Sequence, residues 1–270
     1  MAEAAPALAP ERQPAPRPTA PLLSVDSLTK AFPNGTVALN QVSLAARPGE
    51  LTVILGHNGS GKSTLVRCIV RLLEPTSGSV FVRGRELTRL RGRELRLARR
   101  DIGVVFQRPS LIPRRSTVAN VAAGCLGRQQ GLLSELGGFP KAELEAASIQ
   151  LAKVGLSSFA RQRADSLSGG QAQRAAIARA LHQAPSVLLA DEPVASLDPE
   201  AAADVMELLR ELARREWIAV VCVLHQLDLA QRFADRVIGL RQGRVVLDGA
   251  VQELGLDQLA RLYKDAEGRG

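Results

Sequence analysis

Leu51-Thr52-Val53-Ile54-Leu55-Gly56-His57-Asn58-Gly59-Ser60-Gly61-Lys62-Ser63 decides the fold. The first five residues are apolar or β-branched, as in a strand buried on both faces. The next eight fit GxxxxGK[ST], and the apolar spacing beyond them predicts a helix over Ser63–Leu73. Strand, glycine loop and helix in that order form the context of a phosphate-binding loop. Glycines let successive backbone N–H groups turn inward onto phosphate oxygens, aided by the positive end of the helix. The loop Gly56-His57-Asn58-Gly59-Ser60-Gly61 is thus expected to cradle the phosphates of a nucleotide. Lys62 supplies a point charge to the β- and γ-phosphates, Ser63 a hydroxyl ligand for Mg²⁺, and Thr64 a further phosphate contact.

Working outward, Val187-Leu188-Leu189-Ala190 is a second buried-type strand, ending in Asp191-Glu192. Ligands in open α/β sheets sit at strand ends. Asp191 is therefore a candidate Mg²⁺ ligand, through water, and Glu192 a candidate base for a water aimed at the γ-phosphorus. Further strands are expected at Leu22–Leu28, Val37–Leu44, Val80–Val82, Ile102–Phe106 and Ala219–Leu224, with a turn at Pro33-Asn34-Gly35. From Ser116 to Ser158 the pattern turns helical, and Leu144, Ala147, Leu151 and Val154 share one face. A helix after Asp198 is capped by that residue, opened by Pro199, and apolar at Val205, Leu208, Leu209 and Leu212. Strands alternating with helices define an α/β fold: a P-loop NTPase core, its parallel sheet covered by helices on both faces, with a helical block near 109–160 inserted.

The chain has 270 residues, of which 46% are hydrophobic and 23% charged, enough to bury a sizeable core. No apolar stretch is long enough to span a membrane, the longest being Ile218–Leu224. Residues 1–21 hold six prolines and seven alanines and read as a disordered tail rather than a signal peptide. Residues 22–270 read as one domain. The three cysteines, Cys68, Cys125 and Cys222, form no CxxC pair, so spacing signals neither a zinc site nor a disulfide. The net charge is +8, with eight arginines between Arg83 and Arg100, but aromatics are only 3%. Stacking platforms for nucleic acid are scarce, so that cluster reads as a solvated face and no nucleic-acid partner is expected.

Leu167-Ser168-Gly169-Gly170-Gln171 resembles the LSGGQ signature of the ATP-binding cassette (ABC) ATPases. Its hydroxyl and glycine N–H groups at a helix start form a second anion site. Other elements follow in the family's order. Phe32 stands where an aromatic stacks on adenine, and Gln107 matches the glutamine that senses Mg²⁺ and the transporter. Ser196-Leu197-Asp198 matches the D-loop, and His225 the switch histidine at the γ-phosphate. His57 and His182 match no side-chain role and read as structural. Five stretches look like the ATPase of phosphonate importers: Leu111–Arg114, Arg161–Asp165, Asp191–Asp198, Leu224–Ala230 and Phe233–Leu240. His57-Asn58 departs from the Pro-Ser common in that group, and the proline-rich tail is extra.

The resemblance implies an ATPase at the cytoplasmic face of the cell membrane, peripheral to it, with an antiparallel β arm beside the core. Two copies would close head to tail on two ATP molecules. Integral permease subunits, and through them a substrate-binding protein, would be the partners. About twenty residues follow Val245–Leu247, too few for the regulatory domain that some relatives carry. An exporter or lipoprotein-release ATPase shares the catalytic motifs, but lacks the five importer-like stretches. A soluble cassette acting on DNA or ribosomes would need a long coiled coil or a second cassette, and Glu192 argues against a non-hydrolysing module. If the loop reading holds, Lys62→Ala abolishes high-affinity MgATP binding in a calorimetric titration, and unchanged affinity would refute it.

Overall fold

In the computed structural model the described residues are 20–127, 138–255, 258, 259 and 262. Residues 1–19 of the proline-rich tail, and 128–137 of the predicted helical block, lie outside them.

Strand β3 (Leu51–Leu55) is buried at every residue, as its composition requires. It lies at the centre of a six-stranded sheet ordered β10-β9-β3-β8-β7-β6. The others are β6 (Ile102–Phe106), β7 (Val187–Asp191), β8 (Ala219–Val223), β9 (Arg236–Arg241) and β10 (Arg244–Ala250). β3, β6, β7, β8 and β9 run parallel, and β10 folds back antiparallel on β9. A second, antiparallel sheet, ordered β2-β1-β4-β5, forms an arm. Its strands are β1 (Leu23–Ala31), β2 (Val37–Ala46), β4 (Ser77–Val82) and β5 (Arg85–Glu86).

Alternate residues of the central strands feed two cores. Leu188, Ala190, Val220 and Cys222 face the helical layer, whereas Val187, Leu189, Val221 and Val223 face the arm and α1 (Lys62–Ile69). That division follows from the period of two in a strand and explains why these runs are continuously apolar. The helical layer holds α3 (Thr117–Ala122), α4 (Lys141–Lys153), α5 (Gly169–His182), α6 (Pro199–Glu216) and α7 (Leu227–Phe233). On α4 the predicted face is the buried one: Ala147 and Leu151 are fully buried, Val154 nearly so, and Leu144 packs beside them. On α6, Val205, Leu209 and Leu212 are buried, and Leu208 packs partly against the core.

Several boundaries differ from the sequence reading. α1 stops at Ile69 instead of Leu73, because Arg71 takes a left-handed conformation, φ 58°. Arg71 N–H then donates to Cys68 O at 3.0 Å and Leu72 N–H to Arg67 O at 2.9 Å, a Schellman closure with arginine in the usual glycine place. α5 starts at Gly169, inside the Leu167–Gln171 stretch, because Ser168 and Gln171 cap each other's backbone N–H groups, at 3.3 and 2.9 Å. Within the helical run from Ser116, α3 gives way to a 3-10 turn, Ala123–Gly127. Strand β4 also begins earlier than Val80.

The arginine-rich stretch contains β5, α2 (Gly92–Ala98) and a 3-10 turn, none of which the sequence reading located. Several of its arginines have acidic partners, Arg89 with Glu86 at 2.9 Å and Arg91 with Glu74 at 3.1 Å. Arg99 is structural, its Nε donating to Val70 O at 2.9 Å.

Because Leu151 is fully buried between helices, Leu151→Ala leaves a cavity and should destabilise the chain by about 2–5 kcal/mol in chemical denaturation. A loss within experimental error of zero would show that α4 does not belong to the cooperative core.

Candidate functional site

The phosphate loop runs from the end of β3 to α1, and its shape depends on Gly61. This residue precedes α1 with φ 107°, and a Cβ there would lie 2.5 Å from Ala38 O. Only glycine fits so close to β2. From the other side, Gly243 N–H, in the β9–β10 turn, donates to Ser60 O at 2.9 Å. Lys62 is 4% exposed, and its ammonium donates to Gly56 O at 2.7 Å and His57 O at 2.9 Å. Burial lowers its pKa below the usual lysine value, opposed by the charges of Glu192 and Asp191.

β7 delivers the carboxylates. Ser63 Oγ donates to Asp191 Oδ1 at 3.4 Å. Burial pushes the Asp191 carboxyl above its ordinary range, and the Glu192 charge adds to the push. Arg67, the Ser63 hydroxyl and Lys62 pull the other way. Glu192 has left-handed φ of 53°, a conformation that costs of order 1–3 kcal/mol for a residue with a side chain. Its N–H donates to Val223 O at 3.2 Å, which locks the turn to the end of β8. His225, two residues beyond, pairs through Nε2 with Glu192 Oε1. Glu192 and His225 line a cleft of about 210 Å³ with Ala38, Asn58, Gly59, Gly61, Lys62, Ser63 and Thr64.

The remaining predicted residues stand outside this cleft. Phe32 lies at the β1–β2 turn, with Lys30 Nζ 5.3 Å from its ring centroid. Gln107 is exposed just after β6. Ser168 and Gly169 are exposed at the start of α5. They neighbour the 196–198 turn, since a Cβ on Gly169 would lie 3.3 Å from Leu197 Cδ2. Asp198 caps α6, its Oδ1 accepting Ala201 N–H at 2.9 Å.

Three residues that the sequence reading missed hold the end of β6 and the segment after it. Gln173 donates to Phe106 O at 3.3 Å, and Arg179 to Pro109 O at 2.8 Å and Ser110 O at 2.7 Å, all from α5. Burial lowers the Arg179 pKa. Asn120, on α3, exchanges two hydrogen bonds with Ile112, at 2.6 and 3.1 Å. Gln173 shares its spacing with Ala176, Ile177 and Ala180, a polar residue on an otherwise apolar face, and that was the available signal.

A lysine turned back over a glycine loop, and a strand-end acid on the following hydroxyl, place the fold among the P-loop nucleoside triphosphatases. The sequence profile of the ABC transporter family matches residues 39–195. The phosphonates import ATP-binding protein PhnC 2 of Synechococcus sp. is 47% identical over 91% of this chain and 91% of that protein. Among solved structures, cbiO1 of Clostridium perfringens, part of the ABC transporter complex cbiONQ, is 30% identical with TM-score 0.78, over 89% of this chain and 93% of that one. The cassette MJ0796, as a post-hydrolysis dimer bound to ADP and Pi, is 34% identical with TM-score 0.73, over 85% of this chain and 98% of that one. The chain belongs to the ABC transporter family and is an ATPase.

Asp191 holds its proton more tightly in the folded chain than in the unfolded one. Its favourable contribution is therefore present at acid pH and lost as pH rises through the raised value. Without nucleotide, Asp191→Asn should melt above the wild type at pH 7, the difference narrowing toward about pH 4. A lower midpoint at pH 7 would contradict this electrostatic account.

Proposed function

We propose that the chain is the ATP-hydrolysing, energy-coupling subunit of an importer for phosphonate or a related phosphorus oxyanion. The likeness to a phosphonates import ATP-binding protein across nine-tenths of both chains carries this reading.

Lys62 and the loop N–H groups neutralise and orient the phosphates. The Ser63 hydroxyl and the Asp191 carboxylate are hard oxygen donors 3.4 Å apart, and Asp191 is raised by burial and a neighbouring charge. A small divalent cation fits that donor set. Mg²⁺ bound there would neutralise charge developing on the phosphates, with Ser63 and Asp191 holding it and Gln107 reaching it from the edge of the site. Glu192 acts as general base toward the attacking water, and His225, paired with it, orients the carboxylate and contacts the γ-phosphate. Phe32 stacks on the adenine.

Ser168 and Gly169 stand exposed, Gly170 and Gln171 half-buried, and all four lie apart from the cleft of their own chain. That supports a head-to-tail pair in which each signature closes on the partner's nucleotide, with Asp198 beside it. Permease subunits would dock near the segment after Gln107, where Arg179 and Asn120 hold the backbone, with a substrate-binding protein reaching them from outside. Among the described residues no helix is long and apolar enough to cross a membrane. That agrees with a peripheral place on the cytoplasmic face beside separate membrane subunits.

Replacing Glu192 by Gln keeps shape but removes the base, so hydrolysis should fall by about 10²–10⁴-fold while ATP still binds. Light scattering should then show an ATP-dependent dimer, which Ser168→Arg in the same background abolishes. A dimer that survives Ser168→Arg would refute the sandwich. For the substrate, a host lacking the gene should fail to grow on an alkylphosphonate as sole phosphorus source yet grow on phosphate. The wild-type gene, but not Glu192→Gln, should restore growth; undiminished phosphonate use would overturn the assignment.

A further inference from the structure

Away from the nucleotide cleft, three metal-ligating side chains converge inside the helical layer. Cys125 lies in the 3-10 turn after α3, Glu143 in the first turn of α4, and His182 is the last residue of α5. One ligand atom from each lies within 4.8 Å of the other two. His182 Nε2 and Glu143 Oε2 are 3.0 Å apart. Cys125 is fully buried and the His182 side chain is 3% exposed, while Glu143 at 27% opens the cluster to solvent. The backbone enforces the convergence. A Cβ on Gly124 would lie 2.2 Å from Arg179 O and 3.3 Å from His182 Cβ, so the turn rests directly on the last turn of α5. Cys125 follows that contact.

We propose that Cys125, Glu143 and His182 form a binding site for Zn²⁺ or a chemically similar divalent ion, with water as the fourth ligand. Thiolate, imidazole and carboxylate together suit a borderline-soft cation and not Mg²⁺ or Ca²⁺, which take oxygen donors. Tetrahedral Zn²⁺ with bonds of about 2.0–2.3 Å separates its ligands by roughly 3.3–3.6 Å. The 3.0 Å spacing of His182 and Glu143 must open slightly, and the widest spacing, up to 4.8 Å, must close by about 1.2–1.5 Å to reach that geometry. As the metal–sulfur bond forms, the Cys125 thiol releases its proton to solvent. The thiolate and the Glu143 carboxylate then balance the two positive charges of the ion, with His182 neutral. No net charge is buried. The ion would join the end of α5, whose start carries Ser168, to α4 and to the turn after α3.

The site is tested on untagged full-length protein, stripped with chelator and free of nucleotide, using Co²⁺ as a probe. One equivalent should produce tetrahedral visible bands and a thiolate-to-cobalt charge-transfer band, both removed by Zn²⁺. Cys125→Ser should lose the charge-transfer band. Glu143→Gln, at a partly exposed position, should weaken Co²⁺ binding at least about tenfold. Asp191→Asn should keep the spectrum, which separates this site from the one proposed for Mg²⁺. Zn²⁺ at about a hundredfold its dissociation constant should raise the wild-type thermal midpoint by about 5 °C or more, and not that of Cys125→Ser. No charge-transfer band in the wild type, or a band that persists in Cys125→Ser, would overturn the proposal and leave His182–Glu143 an ordinary buried pair.

Discussion

The register of four parallel strands governs where the chemistry falls. Ile54 pairs with Val223, Val223 with Asp191, and Asp191 with Phe106. That single row crosses β3, β8, β7 and β6. Beyond it lie Gly56 two residues on, His225 two residues on, Glu192 one on and Gln107 one on. A slip of one residue would exchange the two cores, and a slip of two would carry an acid about 7 Å along the edge. Burial on both faces, imposed by continuous apolar runs, thus holds the polar groups in step.

The same edge concentrates unfavourable terms. Burial disfavours the charged forms of Lys62 and Asp191, a neighbouring like charge adds to that at Asp191, and Glu192 sits in a left-handed turn. Each group alone would favour relaxation, but their mutual attraction and the flanking strands prevent it. Such opposed charges gain most when a polyanion and a cation enter between them. In the proposed nucleotide site a bound polyanion and cation would relieve these terms, and the two cores supply the stability needed to tolerate them.

Much of this was legible in the sequence because the informative residues act locally. β6 and the start of α6 at Asp198 were read at their observed limits, since buried strands and capped helices announce themselves by composition. The phosphate loop was legible because its glycines answer to backbone geometry. Other features depend on contacts between distant residues. The end of α1 was hidden because arginine occupies a left-handed position usually given to glycine. Arg179 and Asn120 were hidden because their partners are backbone carbonyls and amides, which leave no residue pattern. The meeting of Cys125, Glu143 and His182 depends on the stacking of three helical elements, and no sequence spacing encodes it.

The segment between β6 and α3 is gripped mainly by its main chain: Arg179 holds the carbonyls of Pro109 and Ser110, and Asn120 the backbone of Ile112. Such a grip is indifferent to which side chains the segment displays. Ile112, 47% exposed, and Arg114, also exposed, are therefore open to change with little effect on anchorage, whereas Leu111 packs against the helical core. If permease subunits dock at this loop as proposed, evolution or design can rewrite its outward face for a different one, and the mechanical link to α5 will survive the edit.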